Sequence, residues 1–391
     1  NLLGLDTDDP RDQVLYQGLQ KLLVVVMVAL TALPMVFAGG FLPAQPSLQL
    51  GGLALEQTQV QLLIFAQIFV GGILILYMDE VVSKWGVGSG IGLFIIAGVS
   101  QRLVAGLIQP TTGGFFFDWY RILTGQVEVG SLVSGAGLQT LLIGDGHIIA
   151  LLTTLLIFGI VVYAESVRVE IPLSHARVKG ARGRFPVKLI YASVLPMILV
   201  RAVQANVQFM GQILNRQWAG MPGWLGSYSG GQPDGGFFYY VSPIYSPQDW
   251  MWWTANVSQE WWQVMIRIGI DVTFMVVGGA IFAIFWVETT DMGPESTAKQ
   301  IQNSGMQIPG FRQNVGVIEK VMERYIPQVT VIGGALVGLL AVWANMLGTI
   351  GSVSGTGLLL AVSITYKLYE EIAEEQLMEM HPMMRQMFGN E

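Results

Sequence analysis

Eight long apolar runs are the feature of this sequence that most constrains its fold. A helix needs about 20 predominantly apolar residues to cross a hydrocarbon core of about 30 Å. The runs are continuous rather than alternating, which favours helices over the strands of a membrane barrel. We therefore predict an all-α, polytopic transmembrane helical bundle. Its predicted spans are residues 20–38, 59–78, 89–108, 147–166, 187–210, 263–287, 327–347 and 354–370.

The remaining composition narrows the classes of function. Charged residues make up only 12% of the chain, about half the share found in ordinary globular proteins. There is no Cys, and the histidines at 147, 175 and 381 do not have the spacing of a metal site. Neither a P-loop nor a dinucleotide-binding glycine motif occurs. The sequence therefore predicts no cofactor, no metal and no enzymatic activity.

The basic residues are unevenly distributed among the predicted loops. Loops after the second, fourth and sixth runs are cationic, whereas the alternate loops contain only Arg121 and Arg216. Because cytoplasmic loops are enriched in Lys and Arg, we expect a multi-pass protein of the cell membrane with both ends of the chain cytoplasmic. Residues 168–188 hold six of these cations, and their glycines and prolines predict an exposed loop. The others are Lys84, Lys299, Arg312, Lys320 and Arg324.

A short motif occurs at the start of two runs. Residues 89–92 read Ser-Gly-Ile-Gly and residues 354–357 read Ser-Gly-Thr-Gly, and aliphatic residues follow both. The first run would start from the cytoplasmic side and the second from outside, as in an inverted-topology repeat. Chance similarity of two glycine-rich helix starts is the alternative. The alignment places Ile95 opposite Leu360, and an aliphatic constriction of this kind can seal a pore without binding anything.

Two charged residues are predicted inside the membrane. Arg201 lies about 12 residues into one run and Asp271 about seven residues into the next, which puts them at similar depth if each residue rises about 1.5 Å. A pair is the favourable way to keep two opposite charges in lipid. A structural ion pair, an element of a gate, and no contact at all remain open.

Six stretches have the character of a known family: YQGLQKLL (16–23), YMDEVVSKWGVGSGIGLFIIAGVSQ (77–101), VVYAESVRVEIPLSHARVKGARGRFPVK (161–188), FWVETT (285–290), GFRQNVGVIEKVMERYIPQVTV (310–331) and SGTGLLLAVSITYKLYEEI (354–372). In this order they resemble the SecY-type protein-conducting channels of the archaeal and eukaryotic branch. The acidic balance fits a haloarchaeal source.

The resemblance implies ten transmembrane helices, of which the runs here look like the third to the tenth. The first two helices and the plug are therefore expected to be absent from the chain. The implied division is a remainder of the N-terminal half at 1–109, an external hinge loop at 110–146 and a C-terminal half at 147–391. Between the halves the family has an hourglass pore, and a lateral gate releases transmembrane segments into lipid.

The resemblance also implies site residues. The family's pore-ring positions match Ile91, Ile95, Ile198 and Leu360, and a lateral-gate position matches Asn206. The cationic loops match the surface that docks the ribosome, although they could serve topology alone. The implied docking residues are Arg177, Lys179, Arg182, Arg184, Lys188, Arg312, Lys320 and Arg324.

The implied function is that of the central pore-forming subunit of the Sec protein translocase. Its implied partners are SecE-type and SecG- or Sec-beta-type small membrane subunits, the translating ribosome, signal peptides, nascent chains and membrane lipid. An inverted-repeat secondary transporter is the main alternative, and a membrane-embedded enzyme is another.

Overall fold

The fold was analysed in a computed structural model that describes residues 10–38, 47–50, 53–86, 88–110, 113–126, 135–144, 146–175, 182–190, 194–218, 220–229, 231–254, 259–290, 292–303, 306–307 and 315–380. The helices are α1 (Pro10–Leu33), α2 (Gln57–Trp85), α3 (Gly90–Ile108), α4 (Phe115–Leu123), α5 (Gly135–Leu142), α6 (Ile148–Ser166), α7 (Leu195–Gln217), α8 (Phe237–Val241), α9 (Trp261–Thr289), α10 (Pro294–Asn303), α11 (Val315–Leu347) and α12 (Gly355–Met380). The strands are β1 (Ser47–Leu50), β2 (Leu53–Glu56), β3 (Arg168–His175), β4 (Arg182–Lys188), β5 (Ser227–Ser229), β6 (Gln232–Gly235) and β7 (Met306–Gln307).

Each predicted span overlaps one long helix, so the all-α prediction is confirmed. Within the described residues, six stretches are long and apolar enough to cross a membrane: residues 14–37 together with α2, α3, α6, α9 and α11. The other two predicted spans correspond to α7 and α12. These helices carry more polar side chains, including Arg201 on α7 and Glu370 on α12.

The chain divides into two compact units, Asn1–Gly90 with Phe209–Met221 and Ile91–Gln208 with Pro222–Glu391. In the first unit α1 packs against α2, and the antiparallel β1–β2 hairpin joins them. Lys21 and Lys84 both donate to Oε1 of Glu80, each at 2.7 Å. The start of α2 is capped because the Glu56 amide donates to the Gln59 side chain at 3.1 Å.

The second unit has its core between α6, α7, α9, α11 and α12, where buried aliphatic side chains and Met197 and Met275 form one cluster. The helices α9 and α11 pack most closely. A Cβ added at Gly338 would lie 2.3 Å from the carbonyl oxygen of Met275, and one at Gly334 would lie 2.6 Å from that of Gly279. Glycine is therefore required where these two backbones meet, as small residues are in close packing between membrane helices.

The described parts of residues 168–188, a segment predicted to be an exposed loop, form two paired strands. The strands β3 and β4 pair antiparallel from Arg168 opposite Lys188 to Ser174 opposite Arg182, and β7 pairs with the far end of β3. Ile171 and Val187 are buried in a second cluster with residues of α9, α10 and α11. Phe185, two residues before Val187, packs against the same cluster, and burial of alternate side chains favours a strand. Pro186 is tolerated because β4 is an edge strand, and Pro172 because β7 pairs with β3 at Ser174 and His175, beyond that residue.

The predicted start of the span at 187–210 is wrong, because the first residues of that run belong to a strand. Val187 and Lys188 belong to β4, and α7 begins at Leu195. Pro196 is the second residue of the helix, where its missing N–H breaks no bond within the helix. The apolar residue Val187, at the start of the predicted span, therefore lies in the sheet and not in α7.

Candidate functional site

The helices α3 and α12 carry the two copies of the Ser-Gly-x-Gly motif, and each helix begins at the first glycine of its copy. A Cβ added at Gly351, in the 3₁₀ turn before α12, would lie 2.0 Å from the carbonyl oxygen of Arg102 on α3. A Cβ at Gly357 would lie 3.6 Å from Val99. The backbone of α3 therefore packs directly against the start of α12.

The residues matched to the pore ring lie in different surroundings. Leu360 is buried within the central cluster, and Ile95 packs against that cluster from α3. Ile198 on α7 is 37% exposed and Ile91 on α3 is 53% exposed. The structure thus brings Ile95 and Leu360 to the same cluster, whereas Ile198 and Ile91 present part of their aliphatic surface outside it.

Asn206 lies on the exposed side of α7. Its Nδ2 donates to the carbonyl oxygen of Ala202 at 2.8 Å, within the same helix. The amide oxygen remains the acceptor that this side chain presents beyond its own helix.

Arg201, Gln204, Asp271 and Thr356 form a hydrogen-bonded group beside the central cluster, which we term the Arg201 cluster. Arg201 Nη1 donates to Gln204 Oε1 at 2.6 Å and to Asp271 Oδ1 at 3.4 Å, and Arg201 Nε donates to Thr356 Oγ1 at 3.4 Å. Gln204 Nε2 donates to Asp271 Oδ1 at 2.9 Å. The group therefore connects α7, α9 and α12.

The Arg201 cluster is almost fully removed from solvent. The Asp271 side chain is 0% exposed and the Arg201 side chain 14% exposed. Gln204 and Thr356 are buried as well. Hydrogen bonds that are weak in water are stronger in such a low-dielectric setting, and breaking one leaves a costly unpaired group.

The segment after α8 is held by the same group of helices. Gln204 Nε2 donates to the carbonyl oxygen of Val241 at 3.1 Å, and the amide of Ile244 donates to Asp271 Oδ2 at 3.4 Å. Arg267 on α9 donates to the carbonyl oxygens of Ser242, at 3.1 Å, and Pro243, at 2.9 Å. Its guanidinium also lies 4.9 Å from the ring centre of Tyr239, whose hydroxyl pKa is raised by burial.

A second polar group joins the base of the β3–β4 hairpin to α12. Glu370 pairs with Arg168 at 2.7 Å and also with Lys188, whose ammonium lies 5.8 Å from the ring centre of Tyr366. Ser363 on α12 donates to the fully buried Glu165 at the end of α6. Sequence reasoning missed both glutamates, since only the three-dimensional fold brings residues about 200 positions apart together.

The residues matched to the docking surface are only partly described. Arg177, Lys179 and Arg312 lie outside the described residues. Arg182 and Arg184 belong to β4, and Lys188 is engaged by Glu370. Lys320 and Arg324 are exposed on the first turns of α11.

A cavity of about 550 Å³ lies at the start of α12. Arg102 and His147 line it together with Tyr245 and residues 352–354. Next to it, His147 Nε2 lies 3.7 Å from Asp118 on α4, and Trp119 donates to the carbonyl oxygen of Gly146 at 3.0 Å. Contacts with Gly146 and His147 therefore hold α4 next to the start of α6.

Long apolar helices packed around an aliphatic cluster, with polar contacts at the helix ends, define a multi-pass helical membrane protein with a candidate constriction. Comparisons with known proteins agree. The family model described as SecY matches residues 1–369, and the chain belongs to this family.

The relatives are themselves translocase subunits. Protein translocase subunit SecY of Haloarcula marismortui is 72% identical over 394 residues, which cover 100% of this chain and 80% of that protein. The subunit of the same name from Archaeoglobus fulgidus is 48% identical over 404 residues, with 100% and 80% coverage. The predicted resemblance is thus confirmed.

Solved structures agree with the fold. One solved structure, described as the structure of a protein conducting channel, matches this chain with a TM-score of 0.74 and 37% sequence identity. The match covers 97% of this chain and 78% of that chain. Sec61 in a canine ribosome-channel complex from the endoplasmic reticulum has a TM-score of 0.70 and 37% identity, with the same coverage. The chain therefore has the fold of the protein-conducting channels.

Proposed function

We propose that this chain is the central pore-forming subunit of a protein translocase, conducting secretory polypeptides across the membrane and releasing transmembrane segments into lipid. The observation that supports it most is the meeting of Ile95 and Leu360 at one buried cluster, on helices that begin with the same motif. Aliphatic side chains can close a pore to water and ions without binding what passes. Ile91 and Ile198 also belong to the ring in this proposal.

The proposed lateral gate includes Asn206. Its amide oxygen could accept a hydrogen bond across the seam in the closed channel, and a hydrophobic signal sequence would displace that bond. The proposed halves are residues 1–109 and 147–391, with 110–146 as the hinge between them. The contacts of Trp119 and Asp118 with residues 146–147 support a hinge segment that keeps its own structure.

The proposed docking partner is the translating ribosome. Ribosomal RNA presents a dense array of phosphates, and Lys and Arg contacts to it release counterions. Exposed Lys320 and Arg324 support such a surface, and Arg177, Lys179, Arg182, Arg184 and Arg312 would extend it. Lys188 contributes less, because its ammonium is already engaged by Glu370.

The remaining proposed partners are a SecE-type subunit, a SecG- or Sec-beta-type subunit, signal peptides and nascent chains. The distribution of cations supports a cell-membrane protein with both ends of this chain in the cytoplasm. In this account the chain catalyses no reaction, and the ribosome supplies the energy for movement. Charge reversal at Arg177, Lys179, Arg182 and Arg184 should therefore weaken ribosome binding in a salt-dependent way and leave topology unchanged.

The secondary-transporter alternative has one observation in its favour, the buried charges of Arg201 and Asp271. However, both carboxylate oxygens of Asp271 already accept hydrogen bonds from the protein, from Arg201, Gln204 and Ile244. A coupling-ion site needs a carboxylate that can exchange such partners for the ion. The channel proposal is therefore favoured.

Cysteine crosslinking tests the proposal directly, because the sequence contains no Cys. In a complete channel, Ile95→Cys and Leu360→Cys should each crosslink to a stalled, secreted nascent chain on the ribosome. Leu155→Cys, on a 61% exposed position of α6, is the matched control and should not. Absence of crosslinks at both ring positions, with ribosomes bound, would overturn the proposal.

A further inference from the structure

The Arg201 cluster lies one helical turn from two proposed ring residues. Arg201 follows Ile198 by three residues on α7, and Thr356 precedes Leu360 by four residues on α12. Residues at these spacings lie on the same face of a helix, about one turn apart. The hydrogen bond from Arg201 Nε to Thr356 Oγ1, at 3.4 Å, therefore joins the two ring-bearing helices beside the ring itself.

We propose that Arg201 is a positioning residue of the constriction, which fixes the separation of α7 and α12 and so keeps the resting pore sealed. This inference rests on the proposed function and goes beyond it. It assigns the seal to a buried charged side chain as well as to the aliphatic ring. Arg201 acts through Ile198 and Leu360 and does not itself close the pore.

The guanidinium is well suited to this role because it is held on more than one side. Gln204 Oε1 accepts from Nη1 at 2.6 Å, and Asp271 Oδ1 lies at 3.4 Å from the same nitrogen. The planar fork of Arg fixes the direction in which Nε points at Thr356, whereas the ammonium of Lys would be a mobile point charge. The position of α12 relative to α7 is thereby tied to a rigid group.

A simple ion pair does not account for this arrangement. The closest donor to the Asp271 carboxylate is Gln204, at 2.9 Å, and Arg201 lies farther away, at 3.4 Å. Arg201 Nη2 is buried without a hydrogen-bond partner among the residues described, which has a cost that a purely stabilising pair would avoid. A contact that is not fully satisfied can be broken more readily, as a pore that must dilate requires.

The test is the resting ion conductance of the complete channel with its small subunits, reconstituted in liposomes without a translocating chain. Thr356→Val removes the acceptor with little change in volume. Losing a hydrogen bond to a charged group shifts a two-state equilibrium by roughly tenfold or more, so we expect conductance to rise about tenfold. Arg201→Lys should raise it similarly.

Two further variants make the result specific. Thr356→Ser keeps the hydroxyl and should retain the low conductance. Thr365→Val is the matched control on the same helix, because the Thr365 hydroxyl bonds only the carbonyl oxygen of Ala361 among the described atoms. Wild-type conductance in Thr356→Val, or an equal rise in Thr356→Ser, would overturn the proposal. If Arg201→Lys does not assemble, the Thr356 variants decide.

The failure of this inference can be told apart from the failure of the proposed function. Crosslinks from a nascent chain to positions 95 and 360 test the path of the polypeptide and do not depend on the Arg201–Thr356 bond. Intact crosslinks with unchanged conductance would refute only the role of Arg201. Missing crosslinks would refute the channel itself.

Discussion

The pairing of Arg201 with Asp271 gives a prediction whose magnitude follows from the structure. In Arg201→Ala the Asp271 carboxylate, 0% exposed, stays buried and keeps Gln204 and the Ile244 amide as its donors among the described residues. At 3.4 Å, two unit charges attract by about 5 kcal/mol at an effective dielectric constant of about 20. Breaking a buried pair costs about 3–5 kcal/mol, and the retained donors favour the lower end, about 3 kcal/mol.

The double change Arg201→Ala with Asp271→Ala should be less destabilising than Arg201→Ala alone, because no unpaired charge then remains in the core. We expect a coupling energy of about 1–3 kcal/mol. It can be measured by denaturing the purified channel complex with sodium dodecyl sulfate and following tryptophan fluorescence. Arg216→Ala, at an exposed position of the same helix, should change the stability by less than about 0.5 kcal/mol. Additive losses in the double mutant would refute the pairing.

Three other perturbations test separate parts of the structure. Gly338→Ala places a methyl group 2.3 Å from a carbonyl oxygen of α9, so we expect the free energy of unfolding to fall by about 1–3 kcal/mol. Gly269→Ala is the control, because its added methyl group would have nothing within 4 Å, and it should leave stability unchanged. Equal losses of stability in a denaturation assay would contradict the close packing of α9 and α11. Glu370→Gln removes two partly exposed ion pairs at the base of the β3–β4 hairpin. We expect it to lower the free energy of unfolding by about 1 kcal/mol and to speed proteolysis of the hairpin. An unchanged cleavage rate would contradict the role of Glu370 in holding the hairpin to α12. The pair Lys320→Glu and Arg324→Glu should weaken ribosome binding and flatten its salt dependence, and equal affinity at low salt would contradict a docking role.

The long helices could be predicted from the sequence because their cause is local. Every run of about 20 apolar residues must satisfy its backbone groups internally once it is in lipid, and a helix does so within the run. The two Ser-Gly-x-Gly motifs likewise mark helix starts, at Gly90 and Gly355. Small residues are needed there for close approach, and at Gly355 a Cβ would lie 2.6 Å from the carbonyl oxygen of Ala341.

The β3–β4 hairpin could not be predicted because its cause is not local. Its glycines and prolines favour a loop, whereas burial of Ile171 and Val187 against α9, α10 and α11 favours paired strands. The ion pairs of Glu370 and the bond between Arg201 and Thr356 could not be predicted either, because their partners are far apart in the chain. Sequence reasoning placed Arg201 and Asp271 at similar depth but gave no sign of Gln204, the closest donor to the Asp271 carboxylate.

We propose that a translocating polypeptide passes between Ile95 and Leu360. The most direct measurement is a structure of the complete channel bound to a ribosome with a stalled, secreted nascent chain. We expect density for the nascent chain in van der Waals contact, about 4 Å, with both side chains and with Ile198. Density for the chain along any other route, away from Ile95 and Leu360, would contradict it.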